Sequence, residues 1–96
     1  MAERIAIQVS PGDNVVTVVE EARAGDVIRY MTPEGPQELV ALEKVPFGHK
    51  VALQDLPAGQ QVIKYDEVIG TTSGAIRRGE HVHVHNVRSA VQGSSD

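Results

Sequence analysis

The chain has 96 residues, no cysteine and a formal net charge of −4, and its length fits one small domain that cannot enclose a deep catalytic cleft by itself. This composition excludes disulfides and thiolate metal sites, and it argues against nucleic acid as a partner, because phosphate binding needs a basic surface. No apolar run reaches the length of a signal sequence or a membrane-spanning helix, so we expect a cytoplasmic protein with no membrane partner.

Alternating apolar residues predict a mainly β fold. Ile5, Ile7 and Val9 alternate with polar or small residues and predict a first strand, after which residues 11–14 predict a turn. Residues 15–22 have a helical alternative, but their β-branched side chains favour a strand, or a strand that runs into a single turn. Further strands are predicted at residues 27–31, 38–42, 50–53, 61–65 and 80–87, with a wide hairpin loop over residues 32–36.

A weak internal repeat predicts how these strands are connected. Residues 14–30 resemble residues 49–65, and residues 76–85 form a fainter copy; each copy has a glycine, namely Gly25, Gly59 or Gly79, followed by an alternating strand. Glycine enters turn conformations that β-branched residues avoid, so we expect a compact β domain that curls upon itself, with at most one or two short helical turns. We place this domain at residues 5–88, with flexible ends at residues 1–4 and 89–96. Chance similarity among valine-rich strands is the alternative explanation of the repeat.

Three of the four histidines occupy alternate positions near the end of the chain, as His81, His83 and His85. On a continuous strand they share one face, with neighbours about 6.6 Å apart, and Val82 and Val84 then face the core. A row of imidazoles can bind a metal, transfer protons or hold an anion when charged. The pattern also fits a solvated strand face, because alternate histidines on a strand have no unique chemistry.

Several segments together carry a family resemblance. They are PGDNV at residues 11–15, GHKVAL at 48–53, VIKY at 62–65, IG at 69–70 and GEHVHVHN at 79–86. In this order, from about residue 5 to residue 88, they resemble the small N-terminal domain of the altronate/galactarate dehydratase family, which is of the SAF (antifreeze-like, β-clip) type. The resemblance implies a β-clip fold and a role in a lyase that removes water, or in one branch sulfite, from a hydroxy acid. Ser10 stands where that family often has His, and Asp66 where it usually has Gly.

The resemblance also implies a partner. In the sugar-acid dehydratases this domain precedes a long catalytic region, whereas in the sulfolactate sulfo-lyase branch the small and large parts are separate subunits. We therefore expect a small subunit, or a piece of a longer protein, that acts with a large catalytic subunit on a small-molecule hydroxy acid; homo-oligomerisation is left open. The alternative is a non-catalytic binding or docking module of the β-clip type. An antifreeze-like or sialic-acid-synthase-like domain would share the fold but should lack the GHK and HVHxHN segments.

Elimination beside a carboxylate defines the candidate site residues, because it needs a base, an acid and positive charge for the enolate. We expect His49, His83 and His85 to be catalytic, since histidine transfers protons near neutral pH; a backbone-bonded strand entry is the alternative for His49. The expected substrate-binding residues are Asp13, Asn14, Lys50, Lys64 and Asn86. Turn formation is the favoured alternative for the Asp13-Asn14 pair, and a solvated charge is the alternative for each lysine.

A divalent ion, Fe²⁺, Mn²⁺ or Mg²⁺, is expected in the assembled enzyme. His81, His83 and His85 are the candidate ligands in this chain, with His49 or Glu80 as a further one. Completion of the site by the large subunit is favoured over a complete site within this chain.

Overall fold

The computed structural model describes residues 3–7 and 12–89, and all regular structure in them is β-strand. The strands are β1 (Glu3–Ile7), β2 (Val15–Val18), β3 (Val27–Thr32), β4 (Gly35–Val40), β5 (Lys50–Ala52), β6 (Gln61–Lys64), β7 (Glu67–Thr72), β8 (His81–Val82) and β9 (Val87–Ser89). The mainly β prediction is therefore confirmed. The described residues contain no helix long and apolar enough to cross a membrane.

The described strands form two sheets. The larger sheet has six strands in the order β4-β3-β1-β2-β5-β8, and the smaller has three in the order β6-β7-β9. Neighbouring strands run antiparallel except β1 and β3, which are parallel. Since β8 belongs to the larger sheet and β9 to the smaller, the chain crosses between the sheets at residues 83–86.

Two aliphatic clusters form the core, and β2 and β5 contribute to both of them. Val16 and Val51 pair across these strands and belong to the first cluster, while the next pair, Val15 and Ala52, belongs to the second. Successive side chains of a strand point to opposite faces, so β2 and β5 are covered on both faces. Leu56, Val62, Ile76 and Val82 complete the second cluster. β5, which begins at Lys50, is therefore packed between the two clusters.

In the described residues, four glycine corners connect the strands. The internal repeat predicted three of them, at Gly25, Gly59 and Gly79. Each has a buried apolar residue followed three positions later by a glycine with φ between 82° and 93°: Ala22 and Gly25, Val45 and Gly48, Leu56 and Gly59, Ile76 and Gly79. In each corner the residue after the glycine donates its backbone N–H to the carbonyl three residues earlier, as His49 does to Pro46 at 3.0 Å. The buried residues pair as isolated bridges, Ala22 with Val45 and Leu56 with Ile76.

Two hairpins differ from the sequence expectation. The prediction of a wide loop over residues 32–36 is wrong, because the pairing of β3 with β4 continues to Thr32 and Gly35 and leaves a two-residue turn. Pro36 is tolerated in β4 since this strand lies at the edge of its sheet. The second hairpin joins β6 to β7, a strand the sequence analysis did not predict, through Tyr65 and Asp66, whose φ angles are 56° and 61°.

The chain ends also differ in part. Glu3 and Arg4 were assigned to a flexible end but lie in β1. Ser89 ends β9 instead of beginning a tail. The predictions that involve residues 1–2, 8–11 and 90–96, including those on Val9 and Ser10, lie outside the described residues.

Candidate functional site

The four histidines gather in one place, which we call the imidazole cluster. Nδ1 of His49 lies 2.9 Å from Nε2 of His81. The ring of His83 stacks on that of His49 with centroids 4.1 Å apart, and the ring of His85 lies 5.1 Å from that of His81. The cluster therefore contains both segments that the sequence analysis singled out, GHK and HVHVH.

Strand pairing explains why His49 and His81 meet. Val51 of β5 pairs with His81 of β8, and paired residues of antiparallel strands share a face. His49 lies two positions before Val51 and so lies on that same face. The corner at Gly48 holds the backbone just before His49 in place, because the N–H of Gly48 donates to the carbonyl of Val18 at 2.9 Å.

The predicted strand over residues 80–87 is wrong beyond Val82. Asn86 closes a turn in which its Oδ1 accepts from the N–H of His83 at 2.9 Å and its Nδ2 donates to the carbonyl of His81 at 2.8 Å. Val82 is buried as expected, but Val84 is 81% exposed instead of facing the core. The imidazoles are correspondingly closer than on a strand, with 5.5 Å between the ring centroids of His81 and His83.

Asn86 thus has a positional role in the described structure. Both ends of its side-chain amide bond to the backbone of the turn that carries His83, and its own N–H donates to the carbonyl of His83 at 3.0 Å. Alternation alone could not reveal this turn, because a two-residue strand followed by a bend has the same sequence pattern. The predicted substrate-binding role of Asn86 stays a prediction, while its contacts explain how the imidazoles are oriented.

The environment lowers the pKa of two imidazoles of the cluster, those of His81 and His83. Burial, followed by the neighbouring His85, His49 and His83, lowers the pKa of His81, and Glu43 opposes this shift. Burial, followed by His49, Lys50 and His85, lowers the pKa of His83. A neutral imidazole can accept a proton or bind a metal, whereas its protonated form can do neither. Glu43, which the sequence analysis missed, also accepts the backbone N–H of His81 at 3.1 Å.

An open pocket of about 160 Å³ adjoins the cluster, and we call it the lysine pocket. Its lining residues are Lys50, Ile69, His83, Val84 and Val87. Burial and the nearby charge of Lys64 lower the pKa of Lys50. The ammonium of Lys64 lies 4.1 Å from the centroid of the Tyr65 ring. Because His83 belongs to both features, the cluster and the pocket form one continuous site.

Asp13 and Asn14 have structural contacts that favour the turn interpretation. The two carboxylate oxygens of Asp13 accept the backbone N–H groups of Tyr65 and Asp66 at 3.0 and 2.9 Å. Asn14 accepts the N–H of Ile63 and donates to the carbonyl of Gln61. Both side chains are buried. These bonds hold β6 and the turn that follows it, and the predicted contact of both residues with substrate stays a prediction.

Three imidazoles could hold a metal ion. The ring nitrogens of His49, His81 and His83 all lie within 4.8 Å of one another. His49, which the sequence analysis offered as a further ligand, groups with His81 and His83, whereas His85 is not among the three and Glu80 accepts the backbone N–H of Arg77. Imidazole nitrogens suit iron or zinc, whereas Mg²⁺ and Mn²⁺ prefer oxygen ligands. Of the three ions expected, Fe²⁺ fits this donor set best.

Two sheets joined by glycine corners, with a histidine-rich site where the chain crosses between them, define a small β domain of the SAF type. The chain belongs to the altronate/galactarate dehydratase SAF domain family, which matches residues 4–90. The resemblance found in the sequence is therefore confirmed.

Relatives with this domain differ in length. The chain is 41% identical over 76 residues to (2R)-sulfolactate sulfo-lyase subunit alpha of Chromohalobacter salexigens, covering 77% of this chain and 81% of that protein. It is 51% identical over 51 residues to the subunit alpha of Paracoccus pantotrophus, covering 53% and 76%. It is 40% identical over 76 residues to galactarate dehydratase (L-threo-forming) of Escherichia coli, covering 79% of this chain but 14% of that protein.

Proposed function

We propose that this chain is the small component of a two-part lyase, which acts with a large catalytic subunit to eliminate a leaving group from a small hydroxy acid. The observation that carries the proposal is the continuity of the imidazole cluster with the lysine pocket through His83. Neutral bases and a partly buried cation are the groups that proton abstraction beside a carboxylate requires. The length of the sulfo-lyase alpha subunits supports a separate small component, since the chain covers 81% and 76% of them.

Each group has a distinct role in this proposal. His83 borders the pocket and, with its lowered pKa, is the base for the α-proton. The His49–His81 pair, hydrogen-bonded at 2.9 Å, positions His83 through the stacking of the His49 and His83 rings. The ammonium of Lys50 stabilises the negative charge that develops on the substrate. His85, the exposed member of the cluster, is the acid that assists the leaving group.

The large subunit is needed to cover the site. Val84 is 81% exposed and Phe47, two residues before His49, is 71% exposed. A site this open cannot exclude water or hold a substrate in a reactive orientation by itself. We therefore expect the isolated chain to be inactive and its exposed apolar side chains to contact the large subunit.

Metal binding is an alternative use of the same imidazoles. Fe²⁺ held by His49, His81 and His83 would supply Lewis-acid stabilisation of the developing charge in the assembled enzyme, and these residues would then be ligands instead of proton acceptors, because a metal-bound imidazole cannot take up a proton. Burial, followed by the neighbouring imidazoles, lowers the pKa values of His81 and His83 and so favours the neutral state that binds metal. Lys50 would keep its role of stabilising the negative charge that develops on the substrate.

Reconstitution tests the proposal. The chain is co-purified with a large dehydratase-like subunit, and sulfolactate, galactarate and altronate are screened with Fe²⁺, Mn²⁺ or Mg²⁺ and without metal. We expect turnover of a hydroxy acid only when both parts are present. His83→Gln should lower this activity by roughly 10²-fold or more, as expected for the loss of a general base.

The control is Lys44→Gln, at an exposed lysine that pairs with Glu21 at 3.1 Å and lies outside the site. This variant should retain full activity. Failure of every combination to turn over a hydroxy acid contradicts the proposal.

A second candidate function is a non-catalytic docking module. The exposure of Phe47 and Val84 favours it, because such side chains suit a protein interface. In that case the large subunit alone would reach the full rate, and His83→Gln would leave the rate unchanged.

A further inference from the structure

Part of the six-stranded sheet has a face that the rest of the described chain leaves uncovered. Along β1, β3 and β4, alternate residues such as Ala6, Ile28 and Leu39 enter the first core cluster, and their neighbours in sequence point the other way. The second core cluster covers that other side only at β2 and β5. The uncovered part, which we call the outer face, exposes four apolar side chains: Ile5 (54%), Val19 (39%), Met31 (60%) and Val40 (48%).

Strand pairing places these side chains in one patch. Ile5 of β1 pairs with Arg29 of β3, which in turn pairs with Glu38 of β4. Met31 lies two positions after Arg29 and Val40 two positions after Glu38, so both share the side on which this row lies. A contiguous exposed apolar patch, as distinct from scattered apolar side chains, is typical of a protein interaction surface.

The outer face does not suit a second copy of this chain. Arg29 lies between Glu3 at 3.5 Å and Glu38 at 3.1 Å, so these three side chains carry one negative charge in excess. Residues near the axis of a two-fold contact meet their own copies, and equal charges would therefore face each other. The face is also small, since three strands about 4.8 Å apart and about 17 Å long cover roughly 250 Å². A stable dimer takes about 800 Å² from each partner.

The outer face continues toward the imidazole cluster. The N–H of Val19 donates to the carbonyl of Ile5 at 3.0 Å, and the carbonyl of Val18 accepts the N–H of Gly48 at 2.9 Å. Gly48 belongs to the corner that leads into the imidazole cluster, and Phe47 beside it is exposed. A single large partner that covers the imidazole site can therefore extend over the outer face. The combined contact removes the difficulty that the outer face is too small by itself.

We propose that the outer face is a docking surface for the large catalytic subunit, which packs apolar side chains against Ile5, Met31 and Val40 while it covers the imidazole site. This inference rests on the proposed function for the identity of the partner. It goes beyond that function because the outer face contains none of the residues assigned to the chemistry. Changes on this face should therefore weaken assembly and leave the rate of the assembled enzyme unchanged.

The test measures assembly and turnover separately. Calorimetry with the full chain and the large subunit gives the Kd of the complex, and kcat is measured with the small component in saturating excess. Met31→Glu and Val40→Glu each place a charge in the apolar contact, and each should raise the Kd by about tenfold or more without changing kcat. Val68→Glu is the matched control, because Val68 is equally exposed on β7 of the smaller sheet. It should change the Kd by less than about twofold.

The outcomes separate this inference from its alternatives. Exposed positions tolerate substitution with little loss of stability, and amide NMR spectra verify that the variants are folded. An unchanged Kd in both folded variants, an equal loss in Val68→Glu, or the absence of any complex would overturn the inference. A dimer of the isolated chain that Met31→Glu dissociates, measured by analytical ultracentrifugation, would also overturn it, because a second copy would then be the occupant.

Failure of the docking surface and failure of the proposed function give different results. Turnover by the reconstituted enzyme together with an unchanged Kd in both variants contradicts the docking surface alone. A complex that the two variants weaken but that turns over no hydroxy acid contradicts the proposed function alone.

Discussion

Nδ1 of His49 faces Nε2 of His81 at 2.9 Å across the β5–β8 pair. At this distance one ring donates a proton and the other accepts it, so each imidazole fixes the tautomer of the other. The arrangement converts two histidines that are 32 positions apart in the chain into one chemical unit. A ring nitrogen of His83 lies within 4.8 Å of a ring nitrogen of each member of this pair.

The first prediction concerns metal binding by this unit. Fe²⁺ added anaerobically to the full chain should bind, whereas Mg²⁺ should not, because the donors are imidazole nitrogens. His49→Ala and His81→Ala should each lower the affinity by about tenfold or more, measured by calorimetry. His85→Ala is the matched control and should have the smaller effect, since His85 lies outside the three-nitrogen set. Equal binding of Mg²⁺ would contradict this assignment.

The second prediction concerns pH. The pKa values of His81 and His83 are lowered in the folded chain, so below about pH 6.5 the unfolded chain binds more protons than the folded one. The free energy of unfolding should therefore fall as the pH drops below about 6.5. Once the pH is below the folded pKa values, these two groups should contribute no further decrease. His81→Gln should flatten that part of the profile. Urea denaturation of both proteins at pH 7.5 and 5.5 measures the difference, and identical slopes would argue against it.

The third prediction distinguishes the two valines of the HVHVH segment. Val82→Ala should lower the free energy of unfolding by about 1–3 kcal/mol, because it removes buried methyl groups from the second core cluster. Val84→Ala should change it by about 0.5 kcal/mol or less, because Val84 is exposed. Chemical denaturation compares the two. Similar losses of stability in both variants would instead support the continuous strand that the sequence analysis predicted.

The fourth prediction concerns the glycine corners. Gly59→Ala should cost about 1–2 kcal/mol, since φ is 82° there and no atom lies within 4 Å of the added Cβ. Gly79→Ala should cost more than about 3 kcal/mol, because the same strain is joined by overlap with the carbonyl oxygen of Val40. Thermal unfolding compares the two variants. An equal loss of stability would mean that the backbone of β4 at Val40 shifts at little cost to admit the added methyl group.

The sequence predicted the class of fold and the histidines of the site, but not their arrangement. Alternation marks a strand without marking its end, and Val82 and Val84 are equivalent in that pattern although one is buried and the other exposed. The strand ends where the side-chain amide of Asn86 bonds to the backbone of His81 and His83, and the alternating pattern does not reveal these short-range bonds. His49 could be named as a candidate but not placed beside His81, because that contact depends on pairing between β5 and β8.

The tight turn at Tyr65 and Asp66 could not be anticipated for a related reason. Neither residue is glycine, yet both have positive φ. Asp13, 52 positions earlier, accepts the N–H groups of both and holds them in this conformation. Glycine would adopt positive φ here without such support, whereas Tyr65 and Asp66 are held in it by bonds to a residue far away in the chain. Rules based on neighbouring residues cannot detect such long-range bonds.

The crossing at residues 83–86 has one further consequence. His81 is anchored in the six-stranded sheet, while the turn that carries His83 leads directly into β9 of the three-stranded sheet. The side-chain amide of Asn86, which bonds to the backbone of both His81 and His83, maintains the 5.5 Å between the centroids of their rings. Loss of this amide would therefore disturb both the spacing of the imidazoles and the path by which the chain enters the smaller sheet.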